Sequence, residues 1–405
     1  MVVEWKRKNA TICAISFLMT KNIVTGLDIG TASIRLVVCE YKNGSQIPQV
    51  VALVKKNSRG LRRGYVLQFD EVVESIREAI IEAERVAGFK IKSVILGISG
   101  STLESKIIEG GVVVSRADSE ITNTDINRAI EASEAGLQDT ANKSIIHRVP
   151  IAFKLDGKKV TGRPEGLKGG RLDAQVLFVT YASNHLKDLI SATEKAGVKV
   201  EDVAASPLAA SLCLTTKLQK TAGCVLANIG SQTTSIIIFE EGLPISIRVF
   251  PIGSTDITND IALGFQIPLE EAEKIKTGDT DSNTPQKKLN EIIEARLSDI
   301  FEFIENHLKR LGRNGLLPAG LIITGGGSGI SEIESLAKEY FKLPAKVALP
   351  AVSSTSRNQI RDTAWSVAYG LCIFGADSEA EESMGLKMAR EARYNILRWI
   401  KELLP

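Results

Sequence analysis

The sequence predicts an α/β protein made of two similar halves, and three observations carry that prediction. The stretch LDIGTASIRLVV, which begins at Leu27, returns as ANIGSQTTSIII from Ala227, so that Asp28, Ile29, Gly30 and Thr31 match Asn228, Ile229, Gly230 and Ser231. Each copy breaks an apolar strand at a Gly-Ser/Thr pair, and each is followed by more strand and then helix. A length of 405 residues leaves room for two or three compact units.

In chain order, Lys6, Arg7 and Lys8 precede a short apolar run, Ile12 to Met19, with no small-residue cleavage site after it. Residues 1–20 are expected to be a disordered extension, or to precede a true start at Met19. No other stretch is apolar enough to span a bilayer. The strand reaching Ile29 then turns at Gly30, which is expected to supply a positive φ. Two readings of that turn are open. One is an ordinary hairpin with an edge carboxylate; the other is a phosphate cradle, with the N–H groups of Gly30, Thr31 and Ala32 facing an anion and Asp28 holding a hydrated metal.

Phe69 to Ala87 has helical periodicity, with Val72, Val73, Ile76, Ile80 and Val86 on one side and Gly88 as the stop. The strand SVILGISG follows. Residues 101–175 read as an inserted module, with strands GGVVVSR and IIHRVPIAFKLDG around a helix from Asn123 to Glu134 capped by Thr124. In the second half, LEEAEKIKTG and LNEIIEARLSDIFEFIENHLKRLG are helices, the latter ending at Gly312. The strand LIITGGG mirrors SVILGISG, and Ser331 to Glu334 reads as a capping box. Residues 377–386 are acidic and poor in large apolar side chains, as in a flexible linker.

Composition narrows the function. The content is 44% hydrophobic and 24% charged, which is that of an ordinary globular protein, and a net charge of +2 argues against nucleic acid as a partner. Cys13, Cys39, Cys213, Cys224 and Cys372 form no CxxC pair and have no metal-ligand spacing with His147, His185 or His307. A reducing compartment and structural histidines are expected. What remains is three glycine turns: Gly30 to Thr31, Gly230 to Ser231, and Gly325 to Ser328. In two facing domains the first two would grip phosphates through backbone N–H groups, and the third would let the chain approach an adenosine closely.

Together with SRGLRRGYV, GISGS, IIHRVPIAFKLDG, PEGLKGGRLDAQ, PLEEAEKIKTG, ARLSDIF and LIITGGGSGI, these turns resemble the actin and Hsp70 superfamily, and within it the FtsA family, from Asn22 to Pro405. The resemblance implies an actin-like, duplicated RNase H-like fold. Subdomain 1A would be residues 21–100 with 176–206 and 362–376, and an SHS2-like 1C insertion would be 101–175. Subdomain 2A would be 207–255 with 318–361, and 2B would be 256–317. It further implies ATP with magnesium, self-assembly into protofilaments, docking of the FtsZ C-terminal tail on 2B, and residence at the division site on the inner face of the cytoplasmic membrane. Phosphate contacts would come from Gly30, Thr31, Ala32, Gly230, Ser231 and Gln232. Adenosine contacts would come from Gly325, Gly326, Gly327 and the helix bearing Glu270, Glu273 and Lys274, and magnesium would sit over Asp28 through water.

Two departures from the superfamily pattern bear on turnover. Asn228 stands where a second carboxylate would help hold magnesium, and Ser206 precedes Pro207 where hydrolysing relatives often place a Glu. ATP binding with weak or no hydrolysis is expected. The terminal segment, residues 387–405, forms an amphipathic pattern: Ile396, Leu397, Trp399, Ile400, Leu403 and Leu404 on one arc, with Arg390, Arg398 and Lys401 opposite. Such a basic helix with an interfacial Trp reads as a membrane anchor; packing on its own domain is the alternative. Two other functions fit the fold, a PilM-like adaptor of type IV pilus assembly and a small-molecule kinase. The tail argues against the first and the lack of a catalytic Asp in the cleft against the second.

Overall fold

Strand β1 (Asn22–Ile29) lies at the middle of a five-stranded sheet because its apolar residues fill both faces, with Val24, Leu27 and Ile29 buried. The structure is a computed structural model that describes residues 22–41, 48–138, 141–278, 284–350, 360 and 362–382. β1 pairs antiparallel with β2 (Ser33–Tyr41), which pairs antiparallel with β3 (Gln49–Asn57). On its other side β1 runs parallel to β6 (Ser93–Ile98), and β6 runs parallel to β11 (Lys199–Ala205). A small hairpin of β4 (Leu61–Arg62) and β5 (Tyr65–Val66) follows β3.

The second half repeats this order. β12 (Cys224–Ile229) pairs antiparallel with β13 (Thr234–Glu240), and β13 with β14 (Leu243–Phe250). β12 is parallel to β15 (Leu321–Thr324), and β15 to β16 (Ala345–Val347). Even the register repeats, since Ile29 faces Ile34 at the first turn and Ile229 faces Thr234 at the second. The echo in the sequence is therefore a duplicated sheet, and each half places its turn at the same end of its central hairpin.

Helix α1 (Phe69–Ala87) covers the first sheet and ends at Gly88, which is left-handed at φ 80°. Its buried face is Val72, Val73, Ser75, Ile76, Ala79, Ile80 and Ala83. Each large aliphatic there contributes about 1.5–3 kcal/mol by leaving water. Val86 is exposed in the last turn, although it falls on the same face as Ala79 and Ala83.

The insertion forms its own layer and its own core. β7 (Glu104–Val113), β8 (Lys143–Leu155), β9 (Lys158–Val160) and β10 (Arg171–Ala182) extend the second half's sheet in the order β14-β7-β10-β8-β9, joined to β14 at the single pair Arg248 and Glu104. Helix α2 (Asn123–Ala135) packs Ile126, Ala129 and Ile130 against Leu172, Ala174, Val176 and Phe178 of β10. Its cap is Thr122, not Thr124: the Asp125 carboxylate accepts from the Thr122 N–H at 3.0 Å and from its hydroxyl at 2.6 Å.

The chain returns through α3 (Ser183–Lys195), α4 (Ser206–Leu214) and α5 (Lys217–Ala222). After β14 come α6 (Ser254–Phe265), α7 (Leu269–Lys276) and the long α8 (Gln286–Arg310), whose Leu289, Ile293, Leu297, Ile300, Phe301, Ile304 and Leu308 face inward. The capping box expected at Ser331 to Glu334 does not form. Glu332 is left-handed at φ 64° ahead of α9 (Ile333–Phe341), and the Glu334 carboxylate instead accepts from the Val347 N–H at 2.7 Å. The last helix, α10 (Ser366–Glu382), packs on β1 and α4 and stays helical through Glu382, beyond the point where the acidic composition suggests a linker. The expected extension at residues 1–20 and amphipathic helix at 387–405 lie outside the described residues.

Candidate functional site

The two hairpin turns are built alike, for a reason other than positive φ. The Gly30 N–H donates to the Ser33 carbonyl at 3.2 Å and the Gly230 N–H to the Thr233 carbonyl at 2.8 Å. Neither glycine has a positive φ. Each is required because a Cβ would lie 2.8 Å from the Ser33 oxygen, or 2.9 Å from that of Thr233. This corrects the expectation that the glycine N–H groups face a ligand, since both are used inside the turn. Among the described residues, the backbone N–H groups of Thr31, Ala32, Ser231 and Gln232 have no protein acceptor. Those four donors can cradle an anion.

Asp28 is half-buried at the end of β1, opposite Arg35 in β2 and beside Gly97 of β6. Burial pushes its carboxyl up to about 6, and the Arg35 guanidinium pulls the other way. The Arg35 Nε is buried with no hydrogen-bond partner among the described residues. A buried, unsatisfied cationic donor next to an acidic group and free N–H donors fits a phosphate with a hydrated cation. Sequence reasoning missed Arg35. Its signal was the hairpin register, which puts the residue seven positions after Asp28 directly across from it.

The third glycine turn meets the second half's turn from below. Gly325 has φ 92°, and a Cβ there would fall 2.2 Å from Asn228 Oδ1. Gly327 packs on Ile229 in the same way, with a Cβ falling 2.6 Å from that side chain. Of the predicted trio only Gly326 is exposed with open space above it. The turn is tied to the segment leading into α10 because the Thr363 hydroxyl donates to the Gly325 carbonyl at 2.8 Å, and Ser328 Oγ donates to the same carbonyl at 2.7 Å.

Helix α6 starts at the second turn: the Ser254 N–H donates to the Gly230 carbonyl and the Thr255 N–H to that of Ser231, at 2.9 and 2.7 Å. One face of α6 and the start of α7 then line an open pocket of about 440 Å³, formed by Thr255, Thr258, Asn259, Leu269, Glu270 and Glu273. Thr255 belongs to both, so pocket and turn are contiguous. Behind this lining the buried Lys276 ammonium donates to Glu273 Oε2 at 2.6 Å, to Thr258 Oγ1 at 2.9 Å and to the Ser254 carbonyl at 3.3 Å. Burial raises the Glu273 carboxyl, but the hydrogen bonds from Lys276 and Thr258 outweigh it and hold the group below its usual range. Lys276, not Lys274, is the cation of this network. Lys274 is exposed on the other side of α7.

Ser206 is buried at the start of α4, with its Oγ lacking a partner among the described residues. The same Oγ would be 3.1 Å from a Cβ on Gly97, which places it behind the strand neighbour of Asp28. A lone hydroxyl with no base beside it is a weak activator of water. His147, also buried, accepts from the Ala205 N–H through Nε2 at 2.9 Å and holds the residue just before that serine.

Comparison with known proteins agrees with this architecture. Residues 225–370 match the family described as Cell division protein FtsA, and residues 97–180 match the SHS2 domain inserted in FtsA. The Cell division protein FtsA of Pseudomonas aeruginosa is 30% identical over 381 residues, covering 89% of this chain and 90% of the relative. Among solved structures, the PilM-PilN type IV pilus biogenesis complex superposes with a TM-score of 0.64 at 19% identity, covering 87% of this chain and 98% of the other. MreB5 of Spiroplasma citri bound to ADP gives 0.52 at 13% identity, covering 90% and 99%. These two share the fold. The duplicated hairpin sheets, the inserted module between β6 and β11 and the identity along nearly the whole chain lead to one assignment: the chain belongs to the FtsA family of cell division proteins.

Proposed function

We propose that this protein is an ATP-binding, actin-like division scaffold that polymerises on the inner face of the cytoplasmic membrane and tethers the FtsZ ring to it. The observation that carries the nucleotide part is the cluster of free N–H donors at residues 31, 32, 231 and 232, next to Asp28 and contiguous with the Thr255 pocket. The backbone donors and Arg35 hold phosphates, Glu270 and Glu273, the latter fixed by Lys276, meet the ribose or base, and Gly326 gives the adenosine space. Asp28 would hold magnesium through water, and the metal would neutralise phosphate charge there. Asn228 offers only a neutral oxygen beside it, and Ser206 supplies no base, so hydrolysis is weak or absent. The MreB5 structures of Spiroplasma citri, bound to ADP and to AMPPNP, support the same chemistry for this fold.

The remaining parts rest on family membership and on the sequence. Filament contacts with further copies would add many weak membrane contacts into stable attachment. The FtsZ tail would dock on the α6 to α8 region, and lipids would be met by Trp399 and its apolar neighbours. No described helix is long and apolar enough to cross a membrane. The test is ATP affinity with and without magnesium for the wild type and Asp28→Ala, with phosphate release followed in the same tubes. Tight binding weakened by the substitution, with little release, supports the reading. A folded wild type that binds no ATP refutes it. Deleting Lys387 to Pro405 should abolish sedimentation with anionic liposomes; unchanged sedimentation refutes the anchor.

A further inference from the structure

The apolar hairpin at the centre of the first half carries a thiol, and the last helix brings a second one onto it. In the β1–β2 ladder Val24 faces Cys39 and Gly26 faces Val37. Partners across a ladder and residues two apart in a strand share a face, so these positions, with Tyr41, line one side of the hairpin. Helix α10 lies on that side. A Cβ on Gly26 would fall 2.1 Å from the Ala368 carbonyl oxygen, and a Cβ on Gly375 would fall 2.6 Å from Val24 Cγ1. The Tyr41 hydroxyl donates to the Cys372 carbonyl at 3.1 Å.

Cys372 stands where it can reach the first thiol. Its Sγ donates to the Val37 carbonyl at 3.3 Å and lies 3.6 Å from the Val24 carbonyl. Val24 is the cross-strand partner of Cys39, and Val37 is the preceding residue on the same face, so the Cys372 thiol sits over the hairpin beside the Cys39 side chain. Burial, and then contact with the Cys372 thiol, hold Cys39 well above the usual thiol range. Both residues are fully buried. Cys213 turns its thiol elsewhere, to the Ala210 and Ser366 carbonyls at 3.3 Å each, and Cys224 begins β12 in the second half.

We propose that Cys39 and Cys372 are a site of reversible oxidation, and that the disulfide they form locks α10 to the first half. With a peroxide as oxidant, one thiol takes a peroxide oxygen and becomes a sulfenic acid, releasing one water. The other thiol displaces that oxygen as a second water. Two S–H bonds and the O–O bond break, one S–S bond forms, and the two electrons and two hydrogens of the thiols leave in the waters. In a reducing compartment the pair rests as a dithiol. While α10 is seated, burial keeps thiolate scarce and shielded, so the pair reacts when the helix loosens, and a thiol oxidised in that interval meets its partner as the helix reseats. The start of α10 is fixed to the second half, where Thr324 Oγ1 donates to the Thr363 carbonyl at 3.1 Å and lies 3.2 Å from Ser366 Oγ. Farther along, α10 lies on β1 and β2 of the first half. The disulfide therefore pins one end of a bridge between the halves, whatever the glycine turns hold.

The experiment treats the full chain, dilute and folded, with hydrogen peroxide, alkylates the remaining thiols under non-reducing denaturing conditions and maps the peptides. Cys39 and Cys372 should leave the pool of five free thiols together, as one linked pair of peptides, and dithiothreitol should restore both. Without reductant, the urea midpoint of the linked protein should rise, and hydrogen exchange in residues 366–376 should slow by about tenfold or more. Cys39→Ala and Cys372→Ala, treated alike, should show neither the rise nor the slowing. Cys39 and Cys372 both still free after treatment, either one linked to a different cysteine, or a linked protein with unchanged midpoint and exchange overturns the lock.

Discussion

Asn228 Oδ1 occupies the space that any side chain on residue 325 would need, 2.2 Å from the Cβ position, with the Ile229 carbonyl oxygen 2.5 Å away. Gly325 also sits at φ 92°, where a Cβ is strained whatever the space. Gly325→Ala therefore forces β12 and β15 apart at the ligand side. Strain and displacement together should cost about 2–4 kcal/mol of stability, read as a lower urea midpoint, and nucleotide affinity should fall with it. An unchanged midpoint would show that the turn relaxes freely.

Lys276 and Lys274 separate the pocket network from the solvent face of the same helix. Lys276→Met leaves Glu273 and Thr258 in place but removes the ammonium that orders them. Losing the charge-assisted hydrogen bond that fixes the pocket carboxylate Glu273 is worth about 1.5–3 kcal/mol, so affinity for a fluorescent ATP analogue should fall roughly 10- to 100-fold. Lys274→Ala should leave it unchanged. Equal losses in both would mean that the effect is long-range charge and not the network.

How far the sequence could be read depended on the kind of interaction. The duplicated hairpins were legible because an apolar strand on either side of a Gly-Ser/Thr pair leaves few alternatives, and helix α1 because its stripe repeats over five turns. Local choices a residue or two apart were not. Thr122 and Thr124 are both good caps, and only Asp125 three positions after Thr122 decides between them. Lys274 and Lys276 differ by about 200° around α7, so the choice needed the position of α6. The sequence suggests a conformational glycine at Gly30, whereas its need is the oxygen of Ser33, a contact that only the closed turn reveals. The hydrogen bond from the Arg63 N–H to Gln232 joins residues 169 apart and leaves no pattern in the sequence.

His147 gives the fold an acid limit. It is buried and neutral, its Nε2 accepting from Ala205, and burial pulls its pKa down to about 4. Between about 6.5 and 4 the unfolded chain binds this proton and the native chain does not, so stability falls as pH drops through that window and levels off below it. The loss from His147 is about 3 kcal/mol. His307, lowered to about 4 by burial and then by Arg248 and Arg310, acts in the same range. His147→Gln, which can still accept from Ala205 without titrating, should flatten part of the pH dependence of the urea midpoint. Equal pH dependence of the wild-type and His147→Gln midpoints from pH 7 to about 4 would contradict the neutral, buried assignment.

Asp28 has the opposite sign, and its sign distinguishes a site residue from a structural one. Burial raises its carboxyl to about 6 against an ordinary 3.8, with Arg35 only partly compensating. Between those values the native chain holds a proton that the unfolded chain releases, so the group's contribution to stability declines as pH rises through about 6 and stays lost above it. Asp28→Asn removes that penalty and should stabilise the nucleotide-free protein at pH 7 by about 2 kcal/mol, allowing for its partial exposure, with the gain gone below about pH 4. The same substitution should abolish any dependence of ATP affinity on magnesium, whereas in the wild type that dependence should weaken as pH falls through about 6. A residue kept at a cost to the empty fold, and needed only when the cation arrives, is what a nucleotide site requires. If Asp28→Asn destabilises the empty protein, the carboxylate belongs to the structural network around Arg35 instead.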